Sequence, residues 1–127
     1  MKPKLLIVDD ERQFVQTLSE RLRLREIGSV VAYDGESALS MIKEEEPDVM
    51  ILDLKMPGID GIEVLKRVKQ TNPAIEVIIL TGHGSEADKD LCMQLGAFAY
   101  LQKPVDVALL SDTIKKANEK IKQSKNS

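Results

Sequence analysis

Five short aliphatic runs punctuate the chain: "KLLIVD" (4–9), "SVVAY" (29–33), "DVMILD" (48–53), "EVIIL" (76–80) and "AYLQ" (99–102). Together they are rich in Val and Ile and run continuously rather than alternating, the pattern of strands buried on both faces. Between them, apolar residues recur at helical spacing. Phe14, Leu18 and Leu22 fall every fourth residue, with Val15 beside them. Asp34 is placed to cap a helix over 35–45, where Ala38, Met41 and Ile42 share a face, and Pro47 closes that segment. Ile62, Leu65 and Val68 mark a third helix, ended by "TNP". Ala87, Leu91 and Leu95, with Cys92, mark a short fourth, and Gly96 suits its C-terminal stop. Val107, Leu110, Ile114, Ala117 and Ile121 mark a fifth.

Five strand–helix alternations define an α/β, (βα)5 architecture. Connections this short between successive strands imply a doubly wound parallel five-stranded sheet with helices on both faces. The flavodoxin-like version of such a sheet has strand order 2-1-3-4-5, and its ligands bind outside the carboxyl ends of the strands. That order is carried over from the fold type and is not read from the residues. The packed domain is expected over 1–121. The remainder, "KQSKNS" (122–127), offers no apolar partner and is expected to fray as a tail or the start of a linker.

Composition narrows the picture. The chain has 127 residues, enough for one domain, with 43% hydrophobic residues and 3% aromatics, so the core is aliphatic. A net charge of -3 argues against nucleic-acid binding through a basic surface. A single cysteine, Cys92, excludes an internal disulfide and a zinc cluster, and a small buried group is its ordinary role. The N-terminus meets acidic residues too early for a secretion signal, and no apolar run is long enough to span a membrane, so a cytoplasmic location is expected.

Chemistry is therefore sought at the strand ends. The first strand ends at Asp9-Asp10-Glu11, the third at Asp53, the fourth at Thr81-Gly82 and the fifth near Lys103-Pro104. Each has a bland reading alone: a helix N-terminus favoured by the dipole, a loop cap, a turn residue, a solvated lysine. Their coincidence at one edge favours a site. Adjacent carboxylates raise one another's pKa unless a cation neutralises them, and Mg2+ suits one or two carboxylates together with waters and a phosphate.

"LLIVDDE", "ILDLKMPGIDG", "VIILTGHG" and "AFAYLQKPV" resemble, in order, the motifs of response-regulator receiver domains of two-component signalling, over about residues 4–121. The resemblance implies that Asp53 is the phosphoacceptor. It implies Mg2+ held by Asp10, Asp53 and the backbone carbonyl of Lys55, with Asp9 acting through water. Thr81, with Gly82 beside it, and Lys103 become the phosphate-binding hydroxyl and lysine. Tyr100 becomes the switch aromatic, and Pro104 the proline after a cis peptide. The implied phosphodonor is a sensor histidine kinase or a histidine phosphotransfer protein. The output face is the fourth helix, fifth strand and fifth helix, through which a phosphorylation-dependent homodimer can form. No direct contact with nucleic acid is implied. Lys55 and His83, two residues beyond Asp53 and Thr81, occupy positions that tune dephosphorylation in the family. Met93 is expected exposed on the output face, and His83 is otherwise a solvated loop residue.

Two matters stay open at this level. An aspartyl-nucleophile phosphatase of the haloacid dehalogenase type shares the chemistry, but needs a second aspartate where Lys55 stands. The domain could be free-standing or the N-terminal part of a longer regulator. "GAFAYLQKP" lacks the acidic pair before tyrosine that marks the winged-helix transcription factors.

Overall fold

The computed structural model describes residues 3–125. Strands β1 (Leu5–Val8), β2 (Ser29–Ala32), β3 (Val49–Leu52), β4 (Glu76–Thr81) and β5 (Ala99–Gln102) alternate with helices α1 (Arg12–Leu24), α2 (Gly35–Glu44), α3 (Gly61–Thr71), α4 (Glu86–Gln94) and α5 (Val107–Lys125). The strands pair in parallel in the order β2-β1-β3-β4-β5. This is the expected doubly wound, flavodoxin-like sheet.

Side chains of the central strands alternate between two cores. Leu6, Val8, Met50, Leu52, Val77 and Ile79 face α2, α3 and α4, where Ile42, Leu65, Val68 and Cys92 complete one cluster. Leu5, Ile7, Val49, Ile51, Ile78 and Leu80 face α1 and α5, against Leu18, Leu22, Leu110 and Ile114. Each such Leu or Ile contributes about 1.5–3 kcal/mol relative to exposure, which fixes the strand ends as a rigid frame.

Burial on both faces holds for β1, β3 and β4 but not for the outer strands. β5 is only half covered, and Val30 of β2 is 55% exposed. An edge strand has a neighbour on one side only, which leaves its outer margin to solvent.

The fourth helix also departs from expectation. Cys92 is its one buried residue, while Ala87 and Leu91 are exposed and Leu95 is half-buried. α4 meets the sheet beside its edge strand β5, so its apolar stripe narrows to the last turn. Met93 is exposed, as expected.

The helix termini follow local chemistry. Asp34 accepts the Ser37 N–H at 2.7 Å, Asp60 accepts the Glu63 N–H at 2.9 Å, and Ser85 and Asp88 form a reciprocal capping box. Beyond α4, Gly96 takes φ +103, and Ala97 N–H returns to the Cys92 carbonyl at 3.0 Å, a Schellman ending. α1 ends the same way on a non-glycine, Glu26, at φ 66. α5 does not stop at Ile121 but continues to Lys125. Lys and Gln are good helix formers and extend the ladder. Asn126 and Ser127 of the expected tail lie outside the described residues.

Candidate functional site

The carboxyl edge is assembled by backbone bonds that prolong the sheet past its strands. Asp9 N–H donates to the Ala32 carbonyl at 3.1 Å, Asp53 N–H to the Val8 carbonyl at 3.0 Å, and Lys103 N–H to the Thr81 carbonyl at 3.0 Å. Asp9, Asp53 and Thr81 are consequently buried, at 3%, 2% and 0% exposure, whereas Asp10 is exposed.

Asp53 is held at one oxygen and presented at the other. Oδ1 accepts the Leu54 N–H at 2.8 Å, and Oδ2 lies 3.6 Å from Lys103 Nζ. Asp9 is held similarly, its Oδ1 accepting the Glu11 N–H at 2.9 Å and its Oδ2 accepting from Lys103 Nζ at 2.7 Å. Carboxylate oxygens of Asp9, Asp10 and Asp53 all lie within 4.8 Å of one another. The peptide Lys103–Pro104 is cis, as expected, and Lys103 reaches over the acidic cluster.

The electrostatics follow from this crowding. Burial pushes the Asp9 carboxyl above its usual range, opposed by the hydrogen bond from Lys103. Burial works against the Lys103 ammonium, but its hydrogen bonds to Asp9 and Glu11 outweigh it and hold its pKa above the ordinary lysine value. The same lysine lowers Glu11. Lys103 Nζ also lies 4.3 Å from the centroid of the Phe14 ring.

Would a divalent cation fit? Oxygen donors from three aspartates, two of them buried, converge within 4.8 Å. That is the hard-ligand set a small cation with retained waters requires, and one lysine does not neutralise it. The residues fit Mg2+, with Asp10 supplying the solvent-facing oxygen. Lys55 follows two residues after Asp53 in the open loop, exposed.

Thr81 Oγ1 accepts the His83 N–H at 3.3 Å, a long bond that leaves the hydroxyl hydrogen uncommitted. Gly82 lies open, its Cβ direction passing 3.8 Å from Lys103 Cβ. His83 is exposed, as expected. Tyr100, on β5, is half-buried. Its hydroxyl sits buried against Gly84, near the Thr81 methyl. It has no hydrogen-bond partner among the described residues. Gly84 permits this, because a Cβ there would overlap the hydroxyl.

Two contributors escaped the sequence reading. Glu11 accepts a hydrogen bond from Lys103 Nζ at 2.7 Å across 92 residues of sequence. Its signal was only an acidic residue next to Asp9-Asp10. Gly61 lets the start of α3 rest on the loop after Asp53, its N–H donating to the Leu54 carbonyl at 2.8 Å. The "DG" of "GIDGIE" was its trace.

A doubly wound sheet carrying three aspartates, a hydroxyl and a lysine at its carboxyl edge defines a class of small α/β domains built around a buried acidic site. Comparison with known proteins makes the class specific. Residues 5–115 match the response regulator receiver domain family. The chain is 38% identical over 116 residues to sporulation initiation phosphotransferase F of Bacillus subtilis, covering 91% of this chain and 94% of that protein. It is 43% identical over 101 residues to the transcriptional regulatory protein CpxR of Escherichia coli, covering 80% of this chain but only 43% of that one. A receiver domain from Clostridium thermocellum superposes with a TM-score of 0.89 at 36% identity, covering 94% and 97% of the two chains. A CheY-like receiver from Methanospirillum hungatei gives 0.92 at 25% identity, covering 98% and 99%. The chain belongs to the response regulator receiver domain family. The dehalogenase-type alternative finds no support.

Proposed function

We propose that Asp53 is the residue that accepts a phosphoryl group, from a phosphohistidine of a sensor kinase or phosphotransfer protein. The observation that carries this reading is the position of Asp53 Oδ2. It belongs to a side chain 2% exposed and pinned by its other oxygen, and it lies 3.6 Å from Lys103 Nζ. In the transfer, a P–O bond forms to Asp53 as the donor's P–N bond breaks, and the electron pair returns to the imidazole. Asp10, Asp53 and the Lys55 carbonyl would hold Mg2+, with Asp9 acting through water. When bound, the ion screens charge between the carboxylate and the phosphoryl oxygens.

The chain's own residues do the rest. Lys103 brings a mobile point charge to a phosphoryl oxygen, a task suited to an ammonium on a flexible stem. Thr81 donates its free hydroxyl hydrogen to another oxygen, and Gly82 leaves the approach clear of side chains. That pull on Thr81 changes the wall against which Tyr100 rests. It thereby biases the surface formed by α4, β5 and α5, where a partner or a second copy docks. Lys55 and His83 rim the path of an attacking water and set how long the acyl phosphate lasts. The domain catalyses only its own phosphorylation and dephosphorylation, in the cytoplasm. It serves as the receiver whether it acts alone or heads a longer regulator. No helix among the described residues is long and apolar enough to cross a membrane.

Intact-mass measurement after incubation with acetyl phosphate tests the reading. The protein should gain one phosphoryl group in Mg2+ and none with chelator present. Equal uptake by Asp53→Ala would refute the assignment.

A further inference from the structure

Among the described residues Lys103 is the cation paired with the acidic groups of the site, yet it is not hydrogen-bonded to the residue it is meant to serve. Its ammonium lies 2.7 Å from Asp9 Oδ2 and 2.7 Å from Glu11 Oε1, but 3.6 Å from Asp53 Oδ2, beyond hydrogen-bond length. Asp9 and Glu11 thus take two of its three N–H donors. They differ in freedom: the Asp9 side chain is 4% exposed and tethered at its other oxygen, whereas that of Glu11 is 58% exposed.

Glu11 stands at the N-cap of α1, where a side chain ordinarily accepts from the first helical amides. Here it makes no cap bond. Its carboxylate reaches back over the strand ends to Lys103 instead. The Asp9 Oδ1 to Glu11 N–H bond fixes the backbone from which it reaches.

We propose that Glu11 is a positioning residue that parks Lys103 away from Asp53 in the resting domain, so that moving its ammonium to within hydrogen-bond length of a phosphoryl oxygen draws it off Glu11. The proposal rests on Asp53 as phosphoacceptor. It adds a brake that the acceptor, metal and lysine alone do not contain. The exposed carboxylate is the partner Lys103 gives up, because water at once solvates the Glu11 that is left, whereas Asp9 would be stranded in a buried setting.

The test uses Glu11→Gln, which keeps shape and an acceptor but removes the charge, and Glu11→Ala, which removes both. Phosphorylation by acetyl phosphate at saturating Mg2+ should accelerate in both, more in the alanine variant. The expected gain is about threefold to tenfold, the range set by one half-exposed charged hydrogen bond. In a Lys103→Ala background the same Glu11 substitutions should have no effect on rate. An equal acceleration without the lysine would mean a general field effect and would overturn the proposal.

A second readout needs neither phosphate nor metal. Hydrogen exchange at the Lys103 ammonium, followed by NMR in the resting protein, should quicken in Glu11→Gln, and an unchanged rate would also overturn the proposal. Should the parent take up phosphate normally and Glu11→Gln match its rate, Glu11 parks nothing and Asp53 stands. Should the parent take up none at Asp53, both readings fall.

Discussion

Replacing Gly61 by alanine places one methyl group where the structure has least room for it. The new Cβ would overlap the Asp53 carbonyl oxygen and lie 2.7 Å from Leu54 Cα and 2.9 Å from the Asp53 carbonyl carbon. These are backbone atoms of the loop that carries the acceptor, so no rotamer change relieves the clash. Overpacking of this kind costs about 1–3 kcal/mol. Loss of the 2.8 Å bond from Gly61 N–H to the Leu54 carbonyl adds about 0.5–1.5 kcal/mol. Alanine's better helix propensity returns up to about 1 kcal/mol. The net loss is about 2 kcal/mol, or about 5–10 °C in Tm for a domain of this size.

Two other glycines calibrate the effect. A Cβ at Gly35 would have its nearest contacts in the side chains of Val64 and Ile59, and one at Gly28 would meet nothing within 4 Å. Urea unfolding should therefore rank the alanine variants with Gly61 most destabilised, Gly35 intermediate and Gly28 within about 0.5 kcal/mol of the parent. Phosphate uptake should fall more than about tenfold in Gly61→Ala alone, since the shifted loop carries the Asp53–Leu54 bond that orients the acceptor. An unfolding midpoint equal to the parent's in Gly61→Ala would refute the reasoning.

Three further outcomes follow from particular residues. Glu26→Gly should raise stability by about 0.5–1 kcal/mol in urea unfolding, because Glu26 holds φ 66 at the end of α1; a loss of stability would contradict it. Burial pushes the Cys92 thiol up to about 11, so at pH 8 it should react with a disulfide reagent only on unfolding; fast labelling of native protein would count against the packing of α4. The double change Lys55→Asn with His83→Glu should speed decay of the acyl phosphate in Mg2+, since both exposed side chains would then offer groups able to orient water; decay unchanged or slower would remove them as tuning residues.

The site was legible in the sequence to the extent that its residues end strands. Asp9, Asp53, Thr81 and Lys103 each follow an aliphatic run, and parallel strands must all end at one edge. What depended on distance across the fold was not legible. The reach of Glu11 to Lys103 spans 92 residues, and Gly61 matters through the backbone it touches rather than through any pattern of its own. The apolar spacing of Ala87, Leu91 and Leu95 suggested a buried stripe, yet the stripe shrinks to Cys92 because the helix lies beside an edge strand. Glu76 looked like an unremarkable start to "EVIIL". It is 7% exposed and held by Lys120 Nζ at 3.0 Å and Lys69 Nζ at 3.7 Å, partners from helices α5 and α3.

The central claim concerns one oxygen of one residue, and chemical trapping reads it directly. Borohydride cleaves an acyl phosphate by hydride attack at the carboxyl carbon, leaving an alcohol in place of the acid. After phosphorylation in Mg2+, reduction and peptide sequencing by mass spectrometry should find homoserine at position 53 and intact aspartate at 9 and 10. Homoserine at position 9 or 10, with residue 53 unchanged, would contradict the account.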